Sequence, residues 1–450
     1  MVQSYSSMAS KGINSDEDQT ALESQYEDIA DVDAHPSMDP DSSILLCIPI
    51  IHKAVTLRAL KYVTFLLCGM ANLWPWNCFL SASEYFRSRL ESSPALSSNY
   101  SSTMMTVWTL VSTVFNFYVS QKQENVDYLF RLKSGCLIQI IVFFSMSVGV
   151  LFPQAWTTFY FSFVMLNVAI SAVGACLTQV AIIALVNVKG PIYANANVVG
   201  NAISGVLPSI SMIIAVVTNK HAQRRSAEGA KYFLTSVFVT LVALIFAEVT
   251  AWHEKQVLND GFESQENSLE PVTTQRRFVS FKHIWQPLKF VESTIILVFS
   301  ITLAFPIFAS FVDSHFVSRK VFVPVIFLVW NLGDLAGRVV CAWKFFVVGN
   351  QKLMVLYAVS RIVYIPLFML CNAFGRNENG SIITDIFYIM LQFMFGFSNG
   401  QLFSSAFMLI GHLLYTDDEK KAAGGYTALV INISLLLGSI MSYLLVVEMG

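Results

Sequence analysis

The chain has 450 residues, 55% hydrophobic, 13% aromatic and 13% charged, with a formal net charge of -2. Soluble domains are roughly 45–50% apolar and about 25% charged, so this composition excludes an ordinary soluble enzyme and reads as an all-α polytopic membrane protein. The near-neutral charge argues against a nucleic-acid partner. Seven cysteines, mostly in apolar stretches and without CxxC or metal-ligand spacing, point to no metal and no other cofactor.

Residues 1–50 are polar and acidic through DEDQTALESQYEDIADVDAHPSMDPD, which reads as a disordered cytosolic tail with no secretory signal. Within it, Asp41-Ser-Ser-Ile-Leu45-Leu46 fits an acidic dileucine pattern of the kind sorting adaptors read, a pattern also frequent by chance. A helix needs about 20 apolar residues to cross a bilayer. Eleven segments reach this, at 62–86, 101–120, 134–153, 157–187, 192–217, 231–251, 290–312, 322–343, 351–372, 383–413 and 422–446. In the first, Pro75 removes a backbone donor and should bend or loosen the helix, leaving Trp76 and Asn77 at the bend. Trp76 suits either stacking on a base or anchoring at the membrane surface. Asn77 suits either a solute edge or the freed backbone. The fourth segment carries Gln179, whose amide both donates and accepts. It serves either a solute or a neighbouring helix. In the fifth, Gly200 and Gly205 of GNAISG read as close-packing points between helices.

The polar connection 252–289 should separate a six-helix bundle (60–251) from a five-helix bundle (290–446). In the eighth segment, Asn331, Asp334 and Arg338 fall on one helix face by their three- and four-residue spacing. Charges at mid-membrane are expensive and usually face a cavity or a partner. The pair therefore either contacts a solute or neutralises itself as a salt bridge. Placing the tail in the cytosol puts Lys53, Lys122, Arg131, Lys189, Lys255, Arg276, Lys282, Lys344 and Lys420 in inside loops, as the positive-inside bias requires. The basic loop 219–231 runs against that bias. The sequons Asn99-Tyr-Ser and Asn379-Gly-Ser fall in loops expected outside and are glycosylation candidates.

The motifs, taken in order, resemble those of the equilibrative nucleoside transporter family, the solute carrier 29 type. They are LWPWNCFLSASEYF (73–86), Gln179 followed by GNAISG, Thr302 with Phe305-Pro306, N-x-x-D-x-x-G-R (331–338), R-x-x-x-x-PLF-x-LCN (361–372), SNG (398–400) and LLLGSIMSYLL (435–445). The resemblance covers about residues 60–446. It departs at Asn201, where the family has Gln, and at Val180-Ala181, where Gly-Ser is usual.

The resemblance implies a major-facilitator-like arrangement of six plus five helices and facilitative, non-enzymatic transport by alternating access. The solutes implied are nucleosides such as adenosine and uridine, with nucleobases as a related class. Trp76 would stack on the solute, Gln179 would read the base, and Asp334 with Arg338 would hold the ribose. Asn77, Leu73, Phe305 and Phe327 would line the same pocket. Asn331, Gly200, Gly205, Gly337 and Arg361 would gate it or pack around it. Residence in the plasma membrane is expected, with a vacuolar or lysosomal membrane as the alternative. Proton coupling and a non-transporting receptor or scaffold role are the competing functions.

Overall fold

Backbone groups that leave water must be paired within their own segment, so long apolar runs become helices. The computed structural model describes residues 44–48, 53–150, 156–217, 225–263, 278–314, 316–371 and 382–449. Its helices are α1 (Leu57–Ser81), α2 (Ser83–Arg89), α3 (Pro94–Gln121), α4 (Tyr128–Gly149), α5 (Thr157–Lys189), α6 (Pro191–Val217) and α7 (Arg225–Glu263). They continue as α8 (Phe281–Thr302), α9 (Ala304–Phe311), α10 (Arg319–Val340), α11 (Gln351–Ser360), α12 (Tyr364–Met369), α13 (Ile382–Ile410) and α14 (Asp417–Met449). A 3-10 turn, Arg361–Val363, joins α11 to α12.

Among the described residues, nine helical stretches are long and apolar enough to cross a membrane. The other two predicted spans are α3 and α6, of 28 and 27 residues. Of these, α3 opens with the polar run PALSSNYSST.

The tail expected to be irregular up to residue 50 contains strand β1 (Ile44–Ile48), paired antiparallel with β2 (Lys53–Thr56), with Leu46 opposite Val55. Leu45 and Leu46 therefore lie in extended backbone, and Asp41 lies outside the described residues. Thr56 starts α1, its Oγ1 accepting from the Ala59 amide at 3.2 Å. The helix stays continuous through Pro75, where a bend or loosening is expected, and ends at Ser81. Helix α7 runs well past the predicted boundary at 251. Its Glu254 receives Lys61 of α1 at 3.1 Å and also pairs with Lys189 of α5, which favours helix at that point. The predicted span 290–312 is split at Leu303 into α8 and α9.

The lateral surface is apolar: Phe130, Phe159, Phe238, Leu356 and Ile383 are all exposed, as suits a lipid-facing surface. Inside, one apolar cluster joins the two halves, running from Val180–Ala184 of α5 through Leu402 and Ala406 of α13 to Ala422 and Ala423 of α14. Two smaller clusters lie one in each half, around Phe79, Phe86, Phe143 and Phe233, and around Phe305, Phe308, Phe368 and Phe395. The halves thus share a core toward the end where α5 finishes and α14 begins, and hold separate cores elsewhere.

Candidate functional site

Two helix crossings place the polar residues. In the first half, α1 and α6 run side by side, and a side chain at Gly69 or Gly200 would strike the backbone of Asn197 or Leu66. In the second half, α10 and α13 approach as closely. A methyl group at Gly333 or Gly337 would meet the Phe393 or Phe397 carbonyl, and one at Gly396 or Gly400 would meet the Trp330 or Asp334 carbonyl. Small residues that let membrane helices touch backbone to backbone are the usual means of such packing.

This crossing buries the Asp334–Arg338 pair, which is only 3% and 8% exposed. Arg338 Nη2 lies 2.8 Å from Asp334 Oδ2. Asn399 of α13 donates from Nδ2 to Asp334 Oδ1 at 2.7 Å. Arg338 also donates from Nη1 across to the other half, to the Val198 carbonyl of α6 at 2.7 Å. Its guanidinium carbon sits 4.8 Å over the Phe403 ring. Arg338 Nε is buried with no hydrogen-bond partner among the described residues.

One turn earlier, Asn331 makes a second bond between the halves, donating to Ser209 Oγ of α6 at 3.0 Å, and also to the Phe327 carbonyl at 2.8 Å. Gly205 faces it: a Cβ there would lie 2.8 Å from Asn331 Oδ1. Toward the shared-core end, Ser404 bonds to Asn195 Oδ1, and Asn187 donates to the Lys420 carbonyl at 3.1 Å.

The structure thus gathers Asn331, Asp334, Arg338 and Gly205 along the α6–α10 seam, while Gly337 packs against α13. The aromatic candidates form two groups. Phe305, just past the α8–α9 break, stacks on Trp330 at 4.5 Å and meets Phe327 edge-on at 4.9 Å. Trp76 packs at 4.8 Å on Trp108 of α3. Asn77 donates from Nδ2 to the Ser204 carbonyl at 2.8 Å, an α1–α6 bond. Leu73, a turn before it, and Gln179 on α5 are half-buried and belong to neither aromatic group.

Arg361 is completely buried. It donates to Ser398 Oγ, the Val298 carbonyl and Thr302 Oγ1, each at 3.2 Å. Thr302 in turn lies 2.6 Å from Asn399 Oδ1.

Asn399 and Trp330 were not among the candidates from sequence. Asn399 was visible only as the middle of SNG, since nothing local announces that it reaches α10. Glu292 was missed as well. It is fully buried in α8, with Thr427 donating to Oε1 at 2.6 Å and Oε2 unpartnered among the described residues. A lone acid in KFVESTIILVF was the available signal. Asn99, expected in a loop, lies in the second turn of α3, exposed, with its amide bonded to the Ala95 carbonyl at 3.0 Å. Asn379 lies outside the described residues.

Among solved structures, the chain is similar to a bacterial homologue of the iron transporter ferroportin in its outward-facing state (TM-score 0.56, 10% identity, 85% of this chain and 92% of that one). It is also similar to the major facilitator superfamily proton:xylose symporter XylE (TM-score 0.57, 11% identity, 85% of this chain and 86% of that one). At these identities the likeness concerns the fold, which is that of major facilitator transporters.

Among curated sequences, the nucleoside transporter FUN26 of Saccharomyces cerevisiae is 34% identical over 87% of this chain and 84% of its own length. The equilibrative nucleoside transporter 1 of Rattus norvegicus is 25% identical over 85% and 96%. The family model described as nucleoside transporter matches residues 164–447. A match over more than half of the chain, with a relative 34% identical along most of both lengths, shows that the chain belongs to the nucleoside transporter family.

Proposed function

We propose that the chain carries nucleosides such as adenosine and uridine across a membrane by facilitated diffusion, its two halves exposing one central site to each side in turn. The observation that carries this is the Asp334–Arg338 pair, buried at the seam with Arg338 Nε unpartnered among the described residues. A ribose presents vicinal hydroxyls. Asp334 accepts from one, while Arg338 donates to an oxygen of the other through Nε or through the arm now bonded to Val198. Nothing covalent changes, so selection is differential binding, and a desolvated polar site rejects solutes that leave its groups unpaired.

Trp76 and Gln179 are assigned to the base, with Leu73, Asn77, Phe305 and Phe327 lining the pocket. Asn331, Gly200, Gly205, Gly337 and Arg361 are assigned to gating and packing. Counting α3 and α6 as spans gives eleven, and the Lys and Arg distribution places the N-terminus in the cytosol. The shared core then closes the cytosolic end. The plasma membrane is the assigned location, with a vacuolar or lysosomal membrane as the alternative and Leu45-Leu46 as the contact for sorting adaptors.

Tritiated uridine uptake into proteoliposomes tests the assignment. Asp334→Ala is expected to lower kcat/KM at least tenfold, the loss of about one charge-assisted hydrogen bond. Transport equal to that of the parent protein would sink the ribose assignment.

A further inference from the structure

We infer that Asn399, Thr302 and Arg361 form a relay that fixes the orientation of Asp334, and that this relay sets selectivity for ribose hydroxyls without contacting the solute. The inference rests on the assignment of Asp334 to ribose made above.

An aspartate on a helix can adopt several side-chain rotamers, and a hydroxyl acceptor is selective only when held in one. Arg338 holds Oδ2 at 2.8 Å and Asn399 Nδ2 holds Oδ1 at 2.7 Å. An asparagine amide is a donor on one side and an acceptor on the other, so Asn399 is useful to Asp334 only if its nitrogen faces the carboxylate.

Thr302 enforces that choice. Its oxygen lies 2.6 Å from Asn399 Oδ1 and receives Arg361 Nη2 at 3.2 Å. A guanidinium only donates, so the Thr302 oxygen must accept from it and its single proton points elsewhere. Two acceptors are in reach, Asn399 Oδ1 and the Val298 carbonyl at 2.6 Å; a proton on the carbonyl would leave the Thr302 and Asn399 oxygens facing each other at 2.6 Å as two acceptors, so the proton lies toward Asn399. With the Thr302 proton on Asn399 Oδ1, every donor in the chain points from the buried cation Arg361 toward the anion Asp334.

The triplet Ser398-Asn399-Gly400 supplies the rest. Ser398 accepts from Arg361 Nε at 3.2 Å, and Gly400 lets the backbone of α13 lie against Asp334, within reach of the Asn399 amide.

The test compares tritiated uridine with 2′,3′-dideoxyuridine in proteoliposomes. The parent protein should favour uridine in kcat/KM. In Thr302→Val, which keeps the shape and loses the hydroxyl, that preference should fall about tenfold, through a higher KM for uridine alone. Thr302→Ser should restore it. A purely structural role would instead lower transport of both solutes together.

A Thr302→Val protein that transports with the parent's preference overturns the relay and leaves the ribose assignment standing. A parent protein with no preference overturns both. Should Thr302→Val not reach the membrane, Asn399→Ser, too short to reach Asp334, gives the same readout with the same deciding outcomes.

Discussion

At the scale of single residues, stability and function pull apart at Asp334. Taking a charge out of water is expensive, and a buried pair is held as much by the penalty of breaking it as by its own attraction. Asp334 and Arg338 compensate one another at 2.8 Å, with Asn399 and the Val198 carbonyl completing the set. Removing either partner strands the other charge, at a cost of about 3–5 kcal/mol. Asp334→Leu and Arg338→Met should therefore each lower the thermal unfolding midpoint in detergent. The double variant should melt above both single variants while carrying no uridine. The sequence shows this pair because i and i+4 share a helix face whatever the tertiary structure. It does not show Asn399 or Arg361 as partners, because they lie on other helices. The amide of Asn77, which from sequence suits either a solute edge or a backbone group, donates to a main-chain oxygen of α6.

At the scale of elements, the α10–α13 crossing decides whether the site exists. Gly400 is enclosed by backbone, the Asp334 carbonyl and the Arg338 amide, and rigid neighbours cannot yield to a side chain. Gly400→Ala should therefore destabilise by about 1–3 kcal/mol and reduce uridine uptake. Gly149→Ala, which meets only the edge of the Phe163 ring at 3.0 Å, should be milder in both thermal unfolding and uptake. Hydropathy revealed that these helices exist because burial in lipid leaves a long apolar record in the chain. Their ends were less visible, since distant contacts set them. Helix α7 continues to Glu263, with Glu254 bridged to Lys61 and Lys189 along the way, and α8 stops at Thr302, whose hydroxyl is bound to α13. The strand at Ile44–Ile48 depends on its pairing with Lys53–Thr56, which the acidic composition of the tail conceals.

At the scale of the molecule, the two halves meet through directed bonds that include Arg338 to Val198, Asn331 to Ser209 and Asn187 to Lys420. The long polar connection is the feature of the sequence that suggests a division into two halves. Which residues join the halves is not legible there, since those pairs lie more than a hundred positions apart. The Arg338–Val198 bond has a kinetic consequence. Arg338 is held by the opposite half, and that bond must break before the halves can part at the site. A ribose oxygen that takes over this donor removes one tie, so the loaded carrier should return faster than the empty one. Vesicles preloaded with tritiated uridine should then empty faster when unlabelled uridine waits outside than when the outer medium holds none. Exchange would outrun net flux, and replacing Val198 with another residue should leave the difference intact, because the tie is made by main-chain oxygen.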